Sequence, residues 1–403
     1  MKKTAAIIGG GITGLSLAYF LLKKGIKVTV FEKEDHLGGL VSTFKIGNVC
    51  LEKFYHHFFS QDQFALQLLE ELGIKDKFFW VHPGMGFFSQ GKLYPFTTPL
   101  DLLRFRPLSL LGRVKLGLFG LKVKKERDGR DLEDRTAGDW LEDNLGENVY
   151  QKVWKPLLRA KFGDHFSGVS AAWVWARLRA RSRSRGRFSI REKLGYLKGS
   201  YQTLLDALAK KIREQGGEIK LNSGTVALPL PGFDLTVVTT PNAFPVPAIK
   251  YLGNLCVVLK LKRTFGKFYW VNIADPEIPF CGMVEHTNAF DDPGFGGYKI
   301  LYLSNYLDHG DPLWQAPDQE VFAKCFAGLE KIKPGFSSED MVEYHVFREK
   351  YAQPLPAIEY SKKVPPFKVG EKLYLVSNMQ IYPEDRGVNN SIKLAWEFVE
   401  QLS

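Results

Sequence analysis

The chain opens with a short apolar run, Thr4-Ala-Ala-Ile-Ile, broken by Gly9-Gly10-Gly11-Ile-Thr-Gly14, and continues through mostly apolar positions to Gly25. A second short run, Ile26-Lys-Val-Thr-Val-Phe, ends at Glu32. Short apolar runs bounded by glycine read as strands and the longer stretch between them as a helix, so residues 3–32 predict strand, tight turn, helix, strand. From 250 to 310 the pattern becomes strand-like: Leu255-Cys-Val-Val-Leu-Lys-Leu-Lys, Lys267-Phe-Tyr-Trp-Val-Asn-Ile, Cys281-Gly-Met-Val-Glu-His-Thr and Lys299-Ile-Leu-Tyr-Leu-Ser-Asn-Tyr predict a mixed or antiparallel sheet. Alternation puts Met283, Glu285 and Thr287 on one face of the third strand, Val284 and His286 on the other, and Tyr302, Ser304 and Tyr306 together on the fourth. Thr136 to Leu145 predicts a capped helix, with Thr136 as N-cap, Asp139 in the acidic third position and Trp140-Leu141 beginning the apolar face. Leu100 to Lys125 interleaves apolar residues with seven basic ones. That pattern suits a helix lying on an anionic membrane and equally a helix packed on its neighbours.

At 403 residues the chain has room for two or three domains of roughly 150 residues, and its 45% hydrophobic, 25% charged composition excludes a disordered chain or a small stapled module. Cys50, Cys256, Cys281 and Cys325 are far apart and form no CxxC pair, so neither a disulfide framework nor a metal site is expected and a cytoplasmic location suits them. The run from Thr4 to Leu22 is cut by four glycines and lacks a small-residue cleavage site, which favours folded core over a signal peptide. A formal net charge of +11 favours an anionic partner: a small substrate, or a membrane surface touched from the cytoplasmic side. Seven arginines lie between 177 and 191. Their spacing predicts a loop or helix end, either binding phosphate or carboxylate or simply solvated. No recognition motif accompanies them, so no nucleic-acid partner is expected.

The spacing Gly9, Gly11, Gly14 between a strand and a helix is that of a dinucleotide site. Gly9 permits the turn, Gly11 admits a pyrophosphate to the backbone, Gly14 lets the helix pack on the strand, and Glu32 can accept bonds from ribose hydroxyls. Gly38-Gly39, six residues on, gives a second close backbone approach and points to a longer, flavin cofactor. On these residues the chain resembles the FAD-dependent amine oxidase, protoporphyrinogen oxidase, phytoene desaturase and UDP-galactopyranose mutase superfamily. Residues 195–220 resemble its glycine loop, amphipathic helix and returning strand, and residues 371–402 its closing flavin-binding strand, loop and helix, although Ser377-Asn378 stands where the family often carries Gly-Asp.

The resemblance implies an α/β fold: a discontinuous Rossmann-like FAD-binding domain (1–75, 195–250 and 366–403) with an α+β substrate domain, helical over 76–194 and sheet over 251–365. It implies that Arg386, Gly387, Val388 and Asn389 face the flavin, where a helix N-terminus stabilises negative charge on the reduced ring; Asn389 or Asn390 can also cap that helix. No cysteine follows Cys325, so non-covalent FAD is expected. His56 and His57, next to Tyr55 in an aromatic and polar cluster, are candidate acid–base residues, as are Glu285 and His286. Tyr55, Asn288, Tyr302, Tyr306, Arg348 and Tyr351 are candidate substrate contacts. The expected activity is hydride transfer from a substrate C–H bond to flavin N5. Alternatives are a reduced-flavin nucleotide-sugar mutase, an isoprenoid-lipid desaturase or reductase at a membrane surface, and a non-catalytic flavin scaffold.

Overall fold

The computed structural model describes residues 3–125, 128–184, 192–224, 228–241 and 249–402. Six strands form a first sheet in the order Glu218–Lys220, Lys27–Phe31, Thr4–Ile8, Leu235–Val238, Leu373–Leu375, Lys368–Gly370. All neighbours are parallel except the last pair. Ala5, Ala6 and Ile7 are fully buried, as a parallel sheet covered on both faces requires. The helix Ile12–Lys23 packs on Gln202–Glu214 and Val388–Gln401. Three remote stretches of chain thus build one nucleotide-binding sheet, as the sequence predicted. Its strand order turns about Thr4–Ile8, and in such sheets the ligand crevice lies beyond the carboxyl ends of the flanking strands. Here those ends are Gly9 to Gly11 and Thr239, whose amide and hydroxyl both donate to the Ile8 carbonyl.

A second sheet of seven strands runs Met341–Pro354, Tyr251–Leu261, Lys299–Leu307, Gly282–Glu285, Trp270–Ile273, Met85–Ser89, Lys92–Pro95. It is antiparallel except between Trp270–Ile273 and Met85–Ser89. Leu255, Val257, Leu259, Leu301, Leu303 and Met283 turn one face into a core with Val321, Cys325 and Leu329 of the helix Asp318–Ile332. The alternate residues, Asn254, Cys256, Trp270, Tyr302, Ser304 and Tyr306, form a polar and aromatic face on the other side. The helices Ala137–Leu145, Lys155–Phe162 and Ala171–Ser184 pack beside that face through Phe162, Trp173 and Tyr306. Thr136 caps its helix as expected, its hydroxyl oxygen accepting the Asp139 amide at 3.1 Å.

Three expectations are corrected. Residues 76–98, placed in the helical part, supply Phe78–Val81 to a small third sheet and the hairpin Met85–Ser89, Lys92–Pro95 to the second. The missed signal is Gln90-Gly91, whose φ angles of 55° and 68° make the two-residue turn that joins twisted strands. The strand Gly282–Glu285 ends before His286, which starts the 3₁₀ turn His286–Asn288, so alternation does not carry to Thr287. The arginine run is helical as far as Ser184, which pairs Arg177 with Arg181 and Arg179 with Arg183 at four-residue spacing. Arg185, Arg187 and Arg191 lie outside the described residues.

Candidate active site

The glycine loop shows which of its residues the protein needs and which a ligand needs. A Cβ on Gly14 would lie 2.0 Å from the Gly9 carbonyl oxygen, so helix and strand meet only without a side chain there. A Cβ on Gly11 would meet nothing nearer than 3.8 Å. The fold itself does not demand this glycine, and the open space before it is that of a group pressed against the backbone. Gly11 is the N-cap of Ile12–Lys23 and offers no side-chain cap, which leaves the first-turn amides to an anion such as a pyrophosphate. Gly38, at φ 121°, pairs with Gly11, its amide donating to the Gly10 carbonyl at 2.9 Å. Glu32 is buried and holds the loop in shape: Oε2 accepts the Gly10 amide at 2.6 Å and Oε1 the Glu34 amide at 2.9 Å. Its remaining lone pairs are those free for ribose hydroxyls.

At the far end of the same sheet, Gly387 starts the helix Val388–Gln401, again without a side-chain cap. Asn389 and Asn390 do not cap it. Asn389 Oδ1 accepts the Ala65 amide at 3.1 Å and Asn390 Nδ2 donates to the Asp385 carbonyl at 2.8 Å, which fixes the loop and leaves the helix amides open. Two uncapped helix ends and a backbone cradle offer the donors, and a buried carboxylate just past the second strand the acceptor, that FAD requires.

From this loop Arg386 reaches the second sheet, its Nη2 donating to the Tyr306 hydroxyl at 3.0 Å. Lys161 Nζ stands 4.2 Å above the Tyr306 ring. Arg177 lies 5.4 Å from the Trp173 ring and pairs with Asp385, and Arg181 lies 5.7 Å from the Trp270 ring. Tyr55 meets Trp270 edge-on at 4.8 Å. Four cations therefore face one space, and among the described residues Asp385 is the only carboxylate paired with any of them. Arg177 and Asp385 keep 30% and 31% of their side-chain surface. Arg386 Nε and Asp385 Oδ1 are buried without a hydrogen-bond partner. Unpaired buried charge is costly, and here the cations outnumber the one carboxylate paired with them. Tyr306 and Cys281 also line a cleft of about 820 Å³ with Lys155, Arg159 and Asp311, a size that takes a small molecule.

The electrostatics follow. Burial lowers the Lys161 pKa to about 7 against the pull of Tyr306, with Arg177 and Arg386 adding to the fall. Burial and then Arg181 lower Arg177 to about 10, Tyr55 and Tyr306 resisting. Burial alone would raise the Tyr306 phenol, but Lys161 and Arg386 outweigh it and its pKa falls; Tyr55 moves the opposite way, raised by burial and by Tyr306. Burial also lowers His56 to about 4 and His57 to about 3, so both are neutral at pH 7. His56 Nδ1 lies 2.6 Å from the Phe54 carbonyl oxygen and must carry the proton there, which leaves Nε2 with a free lone pair.

The structure thus gathers Tyr55, His56, His57, Tyr306 and Arg386, brings in Arg177 and Arg181 from the arginine run that the sequence offered either for phosphate or carboxylate binding or as solvated surface, and adds Lys161 and Asp385, which the sequence did not single out. Four-residue spacing of Arg177 and Arg181 was the available signal; Lys161 and Asp385 had none. The other candidates are used elsewhere. Glu285 accepts Thr264 Oγ1, the Phe265 amide at 3.0 Å and the Gly266 amide at 2.7 Å, while Asn288 Nδ2 donates to the carbonyls of Gly266 and Phe268; the two clamp a turn. His286 sits among Tyr196, Phe290 and Tyr302, its pKa lowered by burial to about 3. Tyr302 donates to the Glu52 carbonyl at 2.8 Å. Arg348, on the edge strand, pairs with Asp318 and donates to the carbonyls of Trp314 and Ala316, and Tyr351 packs on Tyr251 and His309.

Residues 12–248 match the family described as flavin containing amine oxidoreductase, and the chain belongs to that family. Among curated relatives it is similar to coproporphyrinogen III oxidase of Staphylococcus aureus, 28% identical over 182 residues, covering 42% of this chain and 38% of that protein. The chain spans only about a third of the length of the first such relatives it matches, at 38, 31 and 36%. Among solved structures it shares its fold with a putative protoporphyrinogen oxidase from Exiguobacterium at a TM-score of 0.76 and 17% identity, covering 100% of this chain and 99% of that one. Reduced UDP-galactopyranose mutase is similar to the same degree, TM-score 0.76 and 14% identity over 100% of this chain and 94% of that one.

Proposed function

We propose that this enzyme oxidises an anionic small molecule whose carboxylate or phosphate groups are held by Lys161, Arg177 and Arg386. The observation that carries this reading is the chamber itself, with four cations against one paired carboxylate. FAD, when bound, supplies the two-electron acceptor. A hydride leaves a substrate C–H bond with its electron pair, and a proton leaves the adjacent N–H, O–H or C–H bond. His56 Nε2, neutral and unpaired, is positioned by its Phe54 bond to take that proton. Reoxidation falls to dioxygen or another electron acceptor.

The same cations fit a diphosphate, and the shared fold with the mutase favours a second reading, isomerisation of a nucleotide sugar by the reduced enzyme. An uncharged isoprenoid would leave the cations unmatched. The test is anaerobic mixing of the holoenzyme with porphyrinogens, amino acids and other carboxylated amines, isoprenoid diphosphates and nucleotide sugars. The proposal expects one anionic class to bleach the flavin band and its neutral ester to fail. Bleaching by neutral compounds alone would sink it, and turnover of a nucleotide sugar only after dithionite reduction would transfer the case to the mutase.

A further inference from the structure

The helix Leu110–Lys125 buries Gly112, Phe119 and Val123, with Phe119 meeting Trp140 at 5.0 Å, and packs on Ala171–Ser184 and Ala137–Leu145. Its opposite face is also apolar. Leu110, Leu111, Val114, Leu118 and Leu121 are exposed, as are Leu100 and Leu103 on the short preceding helix Pro99–Leu103. Seven of the eleven exposed large hydrophobic residues among the described residues therefore lie on these two neighbouring helices. At 3.6 residues per turn, positions 110, 114, 118 and 121 form one stripe with 111 beside it.

Charge borders the stripe. The same helical geometry sets Lys115 and Lys122 along one edge and Arg113 and Lys124 along the other, with Lys125 at its end. With Arg104 and Arg106 this makes seven basic residues against one acidic residue, Asp101, whose carboxylate accepts the amides of Thr97 and Thr98. Among the described residues none of the seven has an ion-pair partner. A second copy of the chain would bring the same cations to the face, setting like charge against like. An anionic bilayer matches both features, since acyl chains take the leucines while lysine and arginine stems reach outward to lipid phosphates.

We propose that Leu110–Lys125, with Pro99–Leu103 beside it, docks the enzyme in the plane of an anionic membrane, the leucine stripe inserted at the boundary of headgroups and acyl chains. A stripe bordered by charge along its length lies in that boundary rather than across the bilayer.

Flotation of the holoenzyme with phosphatidylcholine vesicles, with and without phosphatidylglycerol, tests this without any variant. Binding should require phosphatidylglycerol and weaken with added salt. Each basic residue near an anionic surface is worth about fivefold in partition, so Lys115→Glu with Lys122→Glu and Lys124→Glu should lower binding by at least ~100-fold. Leu111→Gln with Leu118→Gln and Leu121→Gln should abolish it. Both variants should keep the bound-flavin absorbance, since these side chains face solvent. Absence of wild-type binding to anionic vesicles, or binding unchanged in either folded variant, overturns the proposal. So does a dimer in sedimentation that the leucine variant converts to monomer, which would make the face a contact between copies.

Discussion

Replacing Lys161 by methionine separates what the chamber does for stability from what it does for binding. The unfolded chain titrates this lysine near 10.5 and the folded one near 7. At pH 7, holding it in the fold therefore costs up to about 4 kcal/mol, and solvent in the chamber screens this to about 1–2 kcal/mol. Between pH 7 and 10.5 the unfolded chain keeps a proton that the folded one has released, so stability rises with pH across that window, and below pH 7 the penalty is complete. Methionine preserves the stem over the Tyr306 ring and removes the charge. We expect Lys161→Met to raise Tm by roughly 2–4 °C at pH 6 and by progressively less toward pH 10. The same change should weaken an anionic ligand by about ten- to a hundredfold, because a buried bond to a charged group contributes ~1.5–3 kcal/mol. Thermal melts of the holoenzyme across pH and flavin-monitored ligand titrations measure both. A lower Tm at pH 6, or unaltered affinity, would refute the reasoning.

Three further outcomes are expected. Gly11→Val should fold, since the protein leaves that side room, yet purify without flavin, whereas Gly14→Val should not fold; flavin absorbance and circular dichroism distinguish them. Glu285→Gln should lower stability by about 1–3 kcal/mol, through loss of charge-assisted bonds to the 264–266 turn, while leaving the rate of flavin reduction unchanged; a selective loss of reduction rate would restore Glu285 to the chemistry. His286 titrates near 3 in the fold and near 6.5 unfolded, so its contribution to stability is present above pH 6.5 and lost as pH falls toward 3. The Tm of His286→Phe should therefore gain on the wild type as the pH drops through that window, and a constant difference would show that the ring is not held neutral.

Much of the nucleotide side was legible because it depends on local chemistry. A turn at Gly9, a close approach at Gly11 and packing at Gly14 each demand glycine at a fixed spacing, and the strands around them are continuous apolar runs. The chamber was less legible because it forms across layers. Lys161, Arg177, Tyr306 and Arg386 come from two helices, a strand and a loop, and only the fold brings a lone lysine above a tyrosine ring. Reading Arg177 to Arg191 for its two-residue spacing hid the four-residue spacing that matters on a helix. Glu285 and His286 misled for the converse reason: a dense polar string invites chemistry, and the fold uses it to clamp one turn and to fill an aromatic cluster.

The most direct test of the chamber is a flavin difference spectrum as the oxidised holoenzyme is titrated with inorganic pyrophosphate and with a tricarboxylate. The account predicts a saturable shift of the flavin band by at least one of them, weakened about tenfold or more in Lys161→Met and in Arg177→Met. No shift with either anion, or a shift that both variants leave intact, would contradict it.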